Sequence, residues 1–546
     1  MALAVAAFAA GLLTATGPAR AERALVTSYV TAWRHADFAT MYGLLDSRSR
    51  ARVTLASFRA AYASAAATAT LVSFRSGRVS QPRGNLITVP LRVRTRIFGT
   101  FTAMLAVPFT GSGSGAHVQF DSELLFPGVR AGEQLTRQVS LPPRATLYAR
   151  DGTVLAQGPA LSSPIPEVAL QIAGTLGPIP AGERATFAAE GYPPKAMVGS
   201  DGLELVFQQQ LAGTPGGTLF AGRRVLAVST PQPGAPVTTT IEPKLEDAEI
   251  AAMANRYAGM VAMNPQNGEV LAVAGIAYSD PQPPGSTMKI ITATAALQAK
   301  IVKLGTTFPI ATSASILGYS LQNANGEACG GTLLNAFAVS CNSVFAPLGV
   351  ELGAARFVAM AEKFGFNGPP AFPGQGLSTL PSAATIGDAL AVGSSAIGQG
   401  QVLATPLEMA IAGAAIAMGG KRPVPTFLLN QAPTFYRVTT RHVAALVQKM
   451  MIAVVQIGTG TAAAIPGVVV AGKTGTAELT NTTTTSSNGG NSSAASNPQN
   501  TDAWFVGYVP VGKPRIVVAA LFPGQGAGGA TAAPAVQQVL AAALGR

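Results

Sequence analysis

Pro283-Pro284-Gly285-Ser286-Thr287-Met288-Lys289 runs directly into Ile290–Ala299, a stretch without charge and mostly apolar. The prolines and glycine close a loop, and the run after them predicts a buried helix. On that helix, three residues of separation put Ser286 and Lys289 on one face, a turn apart. A serine at a helix N-terminus is surrounded by backbone N–H groups without intrahelical partners, which suit a developing oxyanion. A serine hydroxyl is a weak nucleophile at its own pKa and needs a base beside it. Lysine can be that base only when uncharged; an apolar setting and a second nearby cation both push it there. Taken alone, Ser-x-x-Lys is a common spacing and fits a helix cap beside a solvated lysine equally well.

Two more short patterns follow in order. Ser340-Cys341-Asn342 ends the helical-looking run from Leu333 to Val339. Its hydroxyl and carboxamide can both enter a cleft from a tight turn, the first to relay a proton and the second to bind a peptide group. Lys473-Thr474-Gly475-Thr476 closes an expected strand over 468–472. A lysine beside two hydroxyls makes an anion site, and glycine lets a ligand backbone lie close. Singly, these two patterns also read as an ordinary loop and an edge strand.

Working outward, 546 residues allow two to four domains. With 48% hydrophobic and 11% charged residues the chain is globular, not disordered as a whole. The net charge of +12 favours anionic partners. Nucleic acid is not expected, because there is no compact Lys/Arg run, zinc-finger spacing or aromatic-basic sheet signature. The only histidines, His35, His117 and His442, stand in no ligand or nucleophile motif. Neither a metal site nor a Ser-His-Asp hydrolase is therefore expected, and no cofactor motif is present. Cys329 and Cys341 cannot form a four-ligand zinc site by themselves; they read as one disulfide in an exported protein and as two buried thiols in a cytosolic one. Export is indicated by Met1–Thr16, a mostly apolar stretch without charge, followed by Gly17-Pro18-Ala19-Arg20-Ala21 with its A-x-A pattern; residues 1–21 read as a signal peptide or membrane anchor.

Residues 24–122 begin with helical spacing at Val26, Tyr29, Val30 and Trp33 and turn to alternation after Gly84-Asn85, predicting a small α+β domain. Residues 123–238 carry frequent Pro and Gly, a hairpin signal at Asp151-Gly152 and little helical periodicity, and read as an elongated β-rich connector. Beyond the linker Pro231–Pro236 lies a large α/β region, 239–546. It holds two strands around Asn267-Gly268, strands over 468–472 and 504–509, a Thr/Ser/Asn-rich insertion over 479–500, and a last helix over 533–544.

The three patterns together, in this order, resemble the class B penicillin-binding proteins, monofunctional peptidoglycan D,D-transpeptidases. Gly398-Gln399-Gly400 with Thr405-Pro406-Leu407-Glu408, Asp502–Tyr508, and the stretches Pro143–Ala156 and Gly202–Gly213 resemble further parts of that family. The N-terminal segment resembles a nuclear-transport-factor-2-like module. The resemblance implies a multidomain α+β and α/β chain: leader over 1–21, nuclear-transport-factor-2-like domain over 24–122, pedestal or dimerisation domain over 123–238, and a serine β-lactamase-like transpeptidase domain over 239–546. It implies that Ser286 attacks a stem peptide ending in D-Ala-D-Ala, that Lys289 takes the hydroxyl proton, and that Ser340, helped by Lys473, passes a proton to the leaving amine. Asn342 then holds the substrate amide, Lys473, Thr474 and Thr476 grip the terminal carboxylate, Gly475 admits the substrate backbone, and the N–H groups of Ser286 and Thr476 form the oxyanion hole. If bridged, Cys329 and Cys341 brace the active-site turn. Partners implied are stem peptides, β-lactams, the outer face of the cell membrane and a glycosyltransferase. A D,D-carboxypeptidase, a β-lactamase-like hydrolase and a non-catalytic wall scaffold remain as alternatives.

Overall fold

A computed structural model describes residues 18–478 and 500–546. Most of the leader expected over 1–21, and nearly all of the insertion expected over 479–500, lies outside the described residues. The chain forms two compact units: Met1–Ala145 with Leu176–Ser200 and Gln209–Ala235, and Thr146–Thr175 with Asp201–Gln208 and Pro236–Arg546. The stretch 123–238 thus contributes segments to both.

In the first unit, the helix Pro18–Arg34 buries Val26, Tyr29, Val30 and Trp33, the face its periodicity predicts. It belongs with a four-stranded antiparallel sheet of Leu71–Ser76, Leu86–Thr95, Thr100–Thr110 and His117–Val118. Along Leu86–Thr95, Ile87, Val89, Leu91 and Val93 enter the core while Arg92 and Arg94 stay outside, the period-two signature of a half-buried sheet. A second sheet of three strands joins Leu135–Ser140, Gly216–Ala221 and Arg224–Ser229. Arg137 donates to Ala67 O at 3.0 Å and to Ala188 O at 3.2 Å, placing a cation at the C-terminal ends of two helices. The connector carries more helix than its sequence signals: Pro166–Ile172, Arg184–Ala189, Gly202–Val206 and Gln208–Ala212. At five to seven residues each, they are too short to show a 3.6-residue period.

The second unit is built on a five-stranded sheet of β1 (Gly259–Met263), β2 (Val270–Gly275), β3 (Ala471–Glu478), β4 (Thr501–Val509) and β5 (Ile516–Phe522), in the order β2-β1-β5-β4-β3. Every neighbouring pair is antiparallel. All residues of β1, β4 and β5 are buried, so both faces of the sheet are covered. Helices α1 (Pro243–Met253) and α7 (Ala532–Ala543) pack one face, sharing a core with Met260, Ala262, Phe505 and Val518. Between them in sequence come α2 (Lys289–Gln298), α3 (Leu333–Ala338), α4 (Asn342–Leu352), α5 (Pro406–Ala417) and α6 (Arg441–Ile457). Gly413 of α5 lies against Val506 and Val517, which alternate with Phe505 and Val518, so α5 covers the opposite face. The strand expected over 468–472 instead runs over Ala471–Glu478, because its ladder with β4 extends from Ala471–Tyr508 to Glu478–Thr501. Lys473 to Thr476 lie within this edge strand, not after it.

On α1, Glu246 and Glu249 are fully buried. Glu246 accepts from Val273 N at 2.7 Å. Burial raises its carboxyl to about 8, and burial with the neighbouring Glu246 raises Glu249 as well. Between the ordinary carboxylate range and pH 8 the folded state therefore holds more protons than the unfolded one, and stability falls as pH rises. Glu246→Gln keeps an acceptor for Val273 N and cannot ionise. Thermal melts across pH 5–8.5 should show a flatter profile than wild type, with a gain on the order of 2 kcal/mol at the alkaline end.

Candidate active site

Ser286 sits in a single 3₁₀ turn, Gly285–Met288, that feeds α2. Gly285 has φ +52°, and a Cβ there would stand 2.7 Å from Thr476 O. A Cβ at Gly475 would likewise stand 2.7 Å from Pro284 O. The turn and β3 therefore meet backbone to backbone, a contact open only to glycine at both places. Gly285 N also donates to Gly398 O at 3.0 Å, which ties in the Gly398-Gln399-Gly400 loop. Ser286 is partly exposed, whereas Lys289 has no exposed surface. The nucleophile faces solvent above a base that does not.

Lys289 Nζ lies 2.9 Å from Ser286 Oγ, 2.7 Å from Ser340 O and 2.7 Å from Asn342 Oδ1. A neutral amine has two N–H groups and one lone pair. Donation to Ser340 O and Asn342 Oδ1 uses both hydrogens and turns the lone pair to the Ser286 hydroxyl. Burial, and then the charge of Lys473, hold Lys289 well below the usual lysine range. Lys473 is equally buried, and burial lowers it to about 7. Its Nζ donates to Ser340 Oγ at 2.8 Å and to Thr474 O at 2.9 Å. Ser340 thus stands between two amines. Its φ of +64° is the left-handed region, and its carbonyl and hydroxyl both come within reach of Lys289, at 2.7 and 3.3 Å. Rings of Phe345 and Phe337 lie 5.7 and 5.6 Å from the two amines, near the outer limit of a cation–π contact, and do not offset burial.

All eight residues expected at the site, from Ser286 through Thr476, come together in this unit. Asn342 is engaged at both ends of its carboxamide, accepting from Lys289 and donating from Nδ2 to Gln322 O at 2.8 Å. Thr474 is buried with Oγ1 2.5 Å from Thr459 Oγ1, and Thr476 Oγ1 accepts from Gly528 N at 3.3 Å. Cys329 and Cys341 are joined by a disulfide, and Cys341 is buried directly between Ser340 and Asn342. Cys329 begins a short strand paired to Thr307–Ala311. Asn323 fastens the same wall: Nδ2 donates to Ala311 O at 2.8 Å, and Oδ1 accepts from Ser343 N at 2.8 Å. Sequence reasoning missed Gln322, Asn323 and Thr459. Asn323-Ala324-Asn325-Gly326 carries a turn signal and Gly458-Thr459-Gly460 a loop signal, but nothing in either stretch points to the site.

Residues 258–541 match the penicillin binding protein transpeptidase domain, and residues 162–239 match the penicillin-binding protein dimerisation domain. The peptidoglycan D,D-transpeptidase PbpA of Mycolicibacterium smegmatis is 32% identical over 380 residues, 57% of this chain and 73% of that one. The D,D-transpeptidase domain of a peptidoglycan glycosyltransferase from Eggerthella lenta aligns at TM-score 0.59 and 28% identity, covering 74% of this chain and 99% of that one. Penicillin-binding protein A of M. tuberculosis, solved as its imipenem acyl-enzyme complex, aligns at TM-score 0.58 and 25% identity, covering 74% and 99%. With the transpeptidase match spanning over half its length and the three motifs gathered around one buried amine, the chain belongs to the penicillin-binding protein transpeptidase family, as a class B member.

Proposed function

We propose that this protein is a peptidoglycan D,D-transpeptidase that cross-links stem peptides through an acyl-enzyme on Ser286 and is trapped there by β-lactams. One observation carries the reading: Lys289 Nζ lies within 2.9 Å of Ser286 Oγ while its other short contacts go to Ser340 O and Asn342 Oδ1. Lys289 takes the hydroxyl proton as Ser286 Oγ bonds to the carbonyl carbon of the penultimate D-Ala. Backbone N–H groups of Ser286 and Thr476 receive the oxyanion. Collapse breaks the C–N bond, the departing D-Ala amine receives a proton through the Ser340 hydroxyl, and an ester remains on Ser286. The amine of a neighbouring stem then forms the new amide, and its proton returns to Ser286. In a β-lactam the C–N bond broken lies within the ring, so the amine stays tethered and the ester persists. Asn342 orients Lys289 toward its lone-pair partner, and Lys473 with Thr474 and Thr476 holds the donor carboxylate.

The domain plan follows the same reading: a leader or anchor over 1–21, a nuclear-transport-factor-2-like domain over 24–122, a pedestal over 123–238 and the transpeptidase domain over 239–546. Among the described residues no single helix is long and apolar enough to cross a membrane. Placement at the outer face of the cell membrane, beside a glycosyltransferase that supplies the glycan strands, rests on the leader pattern and on the chemistry of the substrate.

Fluorescent penicillin should label the wild-type chain covalently, with the adduct mapped to Ser286 by mass spectrometry. Ser286→Ala should abolish labelling; an adduct that survives it refutes the nucleophile. Lys289→Ala should slow acylation by about 10²–10⁴-fold, the usual worth of a positioned base. The rate of acylation should rise with pH as Lys289 loses its proton and fall from about pH 7 as Lys473 loses the charge that grips the carboxylate. Lys473→Arg, which stays protonated, should remove the alkaline fall. Replacing both Cys329 and Cys341 by Ser should cost about 2–3 kcal/mol in thermal or urea unfolding and lower the acylation rate through the loosened Ser340–Asn342 turn.

A further inference from the structure

No acidic residue stands between Asp46 and Asp121, a stretch that holds ten arginines and no lysine. Folding gathers three of those arginines on one surface of the first unit. Along Leu86–Thr95 the core residues Ile87, Val89, Leu91 and Val93 alternate with exposed Arg92 and Arg94, so both guanidinium groups leave the sheet on its outer face. Arg92 lies opposite Arg75 on one side and Thr102 on the other, and Arg94 lies opposite Ser73 and Thr100. All six of these side chains are exposed. Among the described residues, none of the three arginines has an ion pair or a side-chain hydrogen bond. Like charges directly opposite each other weaken a sheet, and no carboxylate in this stretch offsets the repulsion of Arg75 and Arg92.

On the same face the next row is apolar. Pro90 lies opposite Met104, and further along Leu86 lies opposite Pro108, with Met104 48% and Leu86 38% exposed. Guanidinium forks flanked by hydroxyls suit phosphate oxygens. An apolar strip beside them suits the acyl boundary just beneath a headgroup layer. A soluble polyanion would engage the charge and leave Met104 and Leu86 in water, and a second copy of this face would set arginine against arginine. We propose that the outer face of this sheet docks onto an anionic phospholipid bilayer, with Arg75, Arg92 and Arg94 on headgroup phosphates and Met104 and Leu86 at the acyl boundary. The surface belongs wholly to the first unit and does not depend on the transpeptidase reading.

Phenylglyoxal labelling of arginines on the full chain, read residue by residue by mass spectrometry, tests this surface directly. Vesicles of phosphatidylglycerol mixed with phosphatidylcholine should protect Arg75, Arg92 and Arg94, while the exposed Arg223 and Arg441 label as they do in solution. Vesicles of phosphatidylcholine alone should protect none of the five. A leader inserted in lipid would hold the chain on either vesicle, so the comparison isolates this face. High salt should remove the protection. Arg75→Gln, Arg92→Gln and Arg94→Gln combined should lower the preference for anionic over neutral vesicles about 100-fold, roughly five-fold per arginine. Relief of the Arg75–Arg92 repulsion should leave that variant melting no lower than wild type, which separates lost binding from lost fold. Met104→Ser should weaken the protection as well. Equal labelling of the five arginines on both kinds of vesicle overturns the proposal. Soluble polyphosphate that protects the three arginines as well as the anionic vesicles do, with Met104→Ser changing nothing, also overturns it and makes the face a site for charged polymers.

Discussion

Burying Lys289 without a carboxylate is the constraint on which the rest of the site depends. Among the described residues no acidic side chain lies within ion-pair distance of either Lys289 or Lys473. An unpaired ammonium in such a setting is expensive, so burial lowers the amine's affinity for its proton. The apolar helix α2 supplies the desolvation, and Lys473 adds like-charge repulsion, the smaller of the two causes. The lowered proton affinity of Lys289 is thus a property of the packing around it, in place before substrate arrives.

Two amines and one hydroxyl then divide the proton traffic. Ser340 Oγ is 2.8 Å from Lys473 Nζ and 3.3 Å from Lys289 Nζ, so its stronger partner is the lysine of β3. With the Lys289 lone pair directed to Ser286, Ser340 is free to serve the leaving group. Such a division requires α2, the Ser340 turn and β3 to be held within tenths of an ångström. Backbone contacts at Gly285 and Gly475 do this on one side, because neither position has a side chain that could act as a spacer. On the other side, the disulfide and the Asn323 bonds pin the Ser340–Asn342 turn to its wall.

Much of this was legible in the sequence, though unevenly. Ser286 and Lys289 share a helix and a face, so local periodicity sufficed. The buried helix face at Val26 to Trp33 and the alternation from Ile87 to Val93 were readable for the same reason. The boundaries of β3 were misread, because Lys473 and Gly475 are poor strand formers, and the segment is held in the sheet by its eight-residue ladder with β4, a tertiary effect. The short connector helices fell below the length at which a period can be seen. Gln322, Asn323 and Thr459 were invisible because their roles consist of backbone and hydroxyl contacts made across 15 to 121 residues of separation.

Asn342 shows how position can add a second task to a motif residue. The sequence reading assigns its carboxamide to the substrate, since an amide two residues past a serine can face a cleft. In the fold that amide lies between Lys289 and the carbonyl of Gln322, with both ends engaged. Its Oδ1 takes one of the two hydrogens of the neutral amine, and Gln322 O fixes which way the carboxamide faces. Were the amide flipped, its NH₂ would point at Lys289, the amine would lose an acceptor, and its lone pair would no longer be reserved for Ser286. The strand Tyr319–Gln322, paired antiparallel to Ser313–Ile316, therefore reaches the nucleophile through two hydrogen bonds and one lysine, which gives the disulfide beside Asn342 a chemical consequence as well as a mechanical one.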